Sequence, residues 1–272
     1  MHIFFTDLDG TLLNNQSNIS LELKKAIEAY VSAGHIFVLS TGRPLSSVFD
    51  VINRTGLYLP NILIIANNGS LIYDCETKQS LQDLYMPIED ALALVDKIES
   101  YGIHAQTYSS QYVICKKNDP EIQFYTKRTG MTPHFDENLQ NLLDADPYKV
   151  LALEIADKSK LLQLQIDMQE FLGDRYISMF SCDQMLEFVD KCSGKGNAVK
   201  FVCNHYGVSV EDAYAAGDAE NDISMLSAVG HSIAMKNATD AVKAVASVIT
   251  ERTNDEGGLT NILLKLSADK AE

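Results

Sequence analysis

Two periodicities alternate along the first third of the chain. Short unbroken apolar runs, Ile3-Phe4-Phe5, Ile36 to Leu39 and Ile62 to Ala66, predict buried strands. Between them the apolar positions recur at helical spacing. Leu23, Ala26, Ile27, Tyr30 and Val31 predict a helix that Ser20 caps and Gly34 ends. Leu45, Val48, Phe49 and Ile52 predict a second, entered through Pro44. Asn67-Asn68-Gly69 reads as a turn that sends Leu71-Ile72-Tyr73 back as a hairpin strand. Strand, helix, strand, helix, strand predicts an α/β domain built on a Rossmann-like, doubly wound parallel sheet.

The alternation breaks at Tyr85-Met86-Pro87. From there the pattern predicts a helix over 88–101, strands over 103–108 and 111–115, and a helix over 120–129. A strand over 150–155, a helix over 158–172 and strands over 176–180 and 185–189 follow. Strands joined by short turns predict an α+β unit inserted at about residues 85–188, with the main domain formed by 1–84 and 189–272. From Ser193 the first pattern resumes. A helix carries Ala198, Val199 and Val202, a small-residue strand spans 213–216, and a helix carries Met225 and Leu226. Strands at 232–234 and 247–249, a helix at 240–245 and a last helix at 259–266 complete the domain.

A chain of 272 residues, 46% of them hydrophobic, has enough apolar surface for two cores. Its net charge of −15 disfavours nucleic acid and anionic membranes as partners. The five cysteines include no CxxC pair and read as reduced thiols. Neither a signal-peptide pattern nor a long apolar span is visible, so a cytoplasmic protein is expected.

Candidate chemistry collects at strand ends and at one helix start. Asp7 and Asp9 follow the first strand, and two acids so close call for a cation or a shared proton. Hard carboxylate oxygens suit Mg2+. Thr41 and Gly42 follow the second strand, Lys195 opens a helix between two glycines, and Asp218, Asn221 and Asp222 follow the small-residue strand. Each alone is weak: a Thr-Gly after a strand is usually a turn, a lysine between glycines usually a loop lysine, and the Gly217-Asp218 stretch as often a helix cap. Together they compose a phosphoryl site. One carboxylate attacks phosphorus, a second acid protonates the leaving oxygen, and a hydroxyl, N–H groups and a lysine hold the remaining oxygens. The acid that donates must hold its proton more tightly than the attacking one, which places the higher pKa on Asp9.

These residues fall in four ordered motifs, FFTDLDGTLL, VLSTGRP, GKGNA and GDAENDISML, which span nearly the whole chain. The set resembles the haloacid dehalogenase superfamily of phosphatases, and within it the Cof-type sugar-phosphatase branch. The resemblance implies that the inserted unit is a cap domain, hinged near 84–87 and 188–193. It implies that Asp7 is the nucleophile that becomes an aspartyl-phosphate and also binds Mg2+. Asp9 would be the general acid and then the base, its backbone carbonyl also binding the metal. Thr41 and Gly42 would bind the phosphoryl oxygens, and Lys195 would neutralise them. Asp218 would ligate Mg2+ with Asp222 supporting it, Asn221 would contact phosphate or metal-bound water, and Asn68-Gly69 matches a turn beside the site. The expected substrate is a small phosphorylated metabolite, a sugar phosphate first, handled by a monomer or homodimer. Two other activities fit the same residues: a phosphomutase or phosphotransferase, and a phosphoacceptor or ligand-sensing module without turnover.

Overall fold

The computed structural model describes residues 1–58, 60 and 62–268. They divide into two compact units, 1–83 with the described residues from 193 onward, and 84–192.

In the first unit the chain runs β1 (Ile3–Thr6), α1 (Leu21–Ser32), β2 (Ile36–Ser40), α2 (Leu45–Thr55) and β3 (Ile62–Ala66). A tight turn leads into β4 (Leu71–Asp74) and β5 (Gln79–Asp83). All residues of β1, β2 and β3 are buried, so both faces of these strands are covered. Alpha-helical starts follow local chemistry: the Ser20 side chain accepts the Leu23 N–H, closing the first turn of α1.

In the second unit come α3 (Ile88–Glu99), β6 (His104–Tyr108), β7 (Val113–Cys115), α4 (Pro120–Thr129), β8 (Pro133–Phe135) and β9 (Lys149–Leu153). After them come α5 (Lys158–Asp167), α6 (Gln169–Leu172), β10 (Tyr176–Cys182) and β11 (Met185–Asp190). Its described strands form a six-stranded sheet in the order β10-β11-β9-β6-β7-β8, antiparallel except for the β7–β8 pair. One face buries Ala105, Val150, Ala152, Leu186 and Phe188 under α3, α5 and α6; the other packs Val113, Cys115, Leu151 and Leu153 against Ile122 and Tyr125 of α4. The Lys191 N–H still donates to Arg175 O, which carries this unit past β11.

The first unit then resumes with α7 (Lys195–His205), β12 (Tyr214–Gly217), α8 (Ile223–Leu226), β13 (His231–Ala234), α9 (Asp240–Val245), β14 (Val248–Ile249) and α10 (Thr260–Leu266). Its eight described strands lie in the order β14-β13-β12-β1-β2-β3-β4-β5. From β14 to β3 every pairing is parallel, and β4 and β5 add an antiparallel edge. This is the doubly wound α/β core that the alternation predicts. Strand succession runs outward in one direction from β1 and in the other from β12, so the sheet reverses between these two neighbours. Ligands of open α/β sheets bind at such a reversal, beyond the carboxyl ends of the strands.

The structure departs from the sequence pattern in three elements. β5 and β8 have no counterpart in it, and the helix expected over 158–172 is two helices that meet at Met168.

Candidate active site

Asp7 leaves the end of β1 and Asp218 leaves the end of β12, on the two sides of the reversal. The backbone carries the pairing one step further, since Asp7 N–H donates to Ala216 O at 3.0 Å. That bond fixes the Asp7 backbone beside β12, and its side chain is nearly buried.

Lys195 is the first residue of α7 and is 1% exposed. Its ammonium donates to Asp7 Oδ1 and to Asp222 Oδ1, both at 2.6 Å. Burial alone would release its proton. The two carboxylates, Asp222 before Asp7, outweigh that and hold its pKa above the ordinary lysine value. Asp222 is fully buried, and its other oxygen accepts the N–H groups of Asp218 and Ala219 at 3.0 and 3.1 Å. Asp222 thus closes the turn after β12 with one oxygen and fixes the lysine with the other. Asp218 accepts a hydrogen bond from Thr11 Oγ1 at 2.8 Å.

Three carboxylates therefore face one buried cation. Asp7, Asp218 and Asp222 each offer an oxygen, and these oxygens lie within 4.8 Å of one another. Burial, then the charge of Asp222, pushes the Asp7 carboxyl well above the usual aspartate range, with Lys195 opposing. Burial, opposed by Thr11, takes Asp218 up to about 6. Acids raised in this way lack positive charge, and a hard divalent cation supplies it. The residues present fit such an ion. Both oxygens of Asp222 already accept hydrogen bonds, so Asp7 and Asp218 are the carboxylates that could hold it. Gly10 shapes the cradle: its φ is +82°, and a Cβ there would fall 2.3 Å from Asp218 Oδ2.

Asp9 stands apart from this cluster. Its side chain is half exposed and gripped by the Arg43 guanidinium, with Nε donating to Oδ2 at 2.7 Å and Nη2 to Oδ1 at 2.5 Å. Thr41 is buried at the end of β2, where its Oγ1 accepts the Arg43 N–H at 3.2 Å. Gly42 lies against the Asn68 carboxamide, so close that a Cβ would fall 3.0 Å from Asn68 Oδ1. Asn221 Nδ2 donates to that same oxygen at 3.5 Å.

A profile of the haloacid dehalogenase-like hydrolases matches residues 4–263. The chain belongs to that family. A relative in Bacillus subtilis, the 5-amino-6-(5-phospho-D-ribitylamino)uracil phosphatase YwtE, is 31% identical to this chain over 96% of both chains. Among solved structures, TM0651 from Thermotoga maritima is 28% identical and superposes with a TM-score of 0.80 over 97% of this chain and 96% of its own. A haloacid dehalogenase-like hydrolase from Bacteroides thetaiotaomicron, 25% identical, reaches 0.83 over 97% and 98%.

Within this haloacid dehalogenase-like site the structure brings Asp7, Lys195, Asp218 and Asp222 into one cluster, and Thr41, Gly42 and Asn221 around Asn68. Two side chains lacked a role in the sequence pattern. Arg43 stands in the VLSTGRP motif and Thr11 in FFTDLDGTLL, but nothing in their spacing says that one grips Asp9 and the other Asp218.

Proposed function

We propose that this enzyme is a Mg2+-dependent phosphatase that hydrolyses phosphate monoesters of small metabolites, sugar phosphates first, through a phosphoryl group carried on Asp7. The enzyme is a phosphatase by family. The observation that supports the rest is the buried Lys195 ammonium bridging Asp7 and Asp222 beside a third acid. Such a pocket is short of positive charge until a cation fills it.

Asp7 and Asp218, with the Asp9 backbone carbonyl, would hold Mg2+, which shields the attacking carboxylate from the anionic substrate. Burial and the Asp222 charge raise Asp7 in the ion-free site, against the order expected from the sequence. Lys195 therefore orients Asp7 and would keep it ionised only together with the cation. An Asp7 oxygen then forms a bond to phosphorus as the ester P–O bond breaks, and the leaving oxygen takes a proton from Asp9. Water next attacks phosphorus, Asp9 takes its proton, and inorganic phosphate leaves with Asp7 restored. Thr41, Gly42 and Asn221 hold phosphoryl oxygens throughout. Because guanidinium donors occupy both Asp9 oxygens in the structure, the Arg43 fork must open before Asp9 can give a proton.

The test is phosphate release from p-nitrophenyl phosphate and a panel of sugar and polyol phosphates. The name of the YwtE relative adds ribityl phosphates to that panel. Turnover that requires Mg2+ is expected, and none on any ester contradicts the proposal. Transfer to a sugar acceptor instead of water would make the enzyme a phosphotransferase. A lasting adduct on Asp7 without turnover would make it a phosphoacceptor.

A further inference from the structure

The turn after β3 touches three segments that the sequence motifs supply separately. Three successive residues lie in the left-handed region, with φ of +49° at Asn67, +54° at Asn68 and +97° at Gly69. Glycine adopts this conformation freely, and asparagine tolerates it better than most side chains. Two adjacent non-glycine residues persist there only where their surroundings over-determine them.

The surroundings here belong to the candidate site. Asn67 N–H donates to Arg43 O and Asn68 N–H to Thr41 O, each at 2.9 Å, so the turn is bonded to both neighbours of Gly42. The Asn68 side chain is buried, its Oδ1 lies against Gly42, and Asn221 Nδ2 donates to it. A Cβ on Gly69 would fall 2.5 Å from the carbonyl oxygen of Gly194, the residue that precedes Lys195. Ser70 Oγ meets Ser193 Oγ at 2.9 Å on the same side.

We infer that Asn68 is a positioning residue: its carboxamide sets the Thr41–Gly42 loop against Asn221, so that the groups from two motifs address one phosphoryl group. The inference rests on the phosphatase reading for what those groups hold. Strain in the turn is the cost of placing a carboxamide, rather than a bare backbone, at that point.

Asn68→Gly separates alignment from folding, because glycine fits a φ of +54° and removes only the carboxamide. Its melting temperature should stay near that of the wild type. Its kcat/KM for p-nitrophenyl phosphate with Mg2+ should fall by about tenfold to a hundredfold, the usual effect of losing a partner that orients a site group. The inhibition constant for inorganic phosphate should rise in parallel. Asn68→Asp keeps the acceptor for Asn221 and adds a negative charge, so its kcat should recover while its KM stays high. A purely structural asparagine would leave Asn68→Gly with wild-type constants, and that result overturns the inference while the phosphatase reading stands. If Asn68→Gly fails to fold, the split of kcat from KM in Asn68→Asp decides, and its absence overturns the inference. If the wild type shows no Mg2+-dependent turnover, the phosphatase reading fails. Calorimetry with inorganic phosphate then still tests Asn68, and equal affinity in wild type and Asn68→Gly overturns its role.

Discussion

Lys195 is the side chain whose removal should cost most. It is buried and balances two buried carboxylates, and without it Asp7 and Asp222 face each other uncompensated. Breaking a buried ion triad of this kind costs about 3–5 kcal/mol of stability. Lys195→Met should lower the melting temperature accordingly and cut kcat by about a hundredfold or more, in line with loss of a charge clamp. Unfolding curves and initial rates check both, and a variant unchanged in both would make the lysine incidental. Arg43 should behave differently. Its pair with Asp9 is partly exposed and worth about 1 kcal/mol or less. Arg43→Ala should therefore fold normally and show no loss of kcat on sugar phosphates, since Asp9 no longer has to be released. A large fall in kcat at unchanged KM would instead put the guanidinium in direct contact with the reacting phosphate. Asp9 and Arg43 also show where residue patterns stop short. A motif names the acid, but which cation holds its oxygens depends on how the loops after β1 and β2 lie side by side.

At the scale of elements, the strands that build the sheet reversal were the readable ones. β1, β2 and β3 are buried on both faces and so appear as unbroken apolar runs. β5 was not readable, because Gln79, Ser80 and Gln82 leave no alternation and the strand lies at the sheet edge with its first residues exposed. β8, only three residues long and opened by Pro133, is another edge strand of the same kind. The break between α5 and α6 was hidden because Leu161, Leu164, Met168 and Leu172 keep helical spacing straight through it. The turn after β1 makes a prediction of its own. Gly10 is pressed against Asp218, so Gly10→Ala should displace that carboxylate more than it disturbs the sheet. Half-maximal activity should then need about tenfold or more Mg2+, while far-UV circular dichroism stays unchanged. An unaltered Mg2+ requirement would mean that Asp218 does not hold the ion.

Over the whole molecule, the net charge of −15 and the raised acids of the site make stability depend jointly on pH and cation. Asp218 sits at about 6 in the ion-free protein, above its unfolded value, because burial disfavours its charged form. The sign follows: ionising Asp218 costs folded-state stability, so the ion-free protein loses that contribution as pH rises toward and through about 6. A bound divalent cation requires the ionised form and reverses the loss. Thermal stabilisation by Mg2+ should therefore be small near about pH 5 and grow as pH rises through about 6, with Asp7, also raised by burial, extending the rise to higher pH. A shift in melting temperature that is constant across that window would remove Asp218 from the site. No helix among the described residues is long and apolar enough to cross a membrane.

The central claim is that Asp7 carries the phosphoryl group, and trapping that adduct tests it most directly. The enzyme is quenched in acid during turnover with Mg2+, reduced with borohydride and analysed by peptide mass spectrometry. The account predicts reduction of the side chain at position 7 and at no other aspartate, with none in Asp7→Asn or without substrate. Steady turnover with position 7 unmodified, or the modification at a different residue, would contradict it.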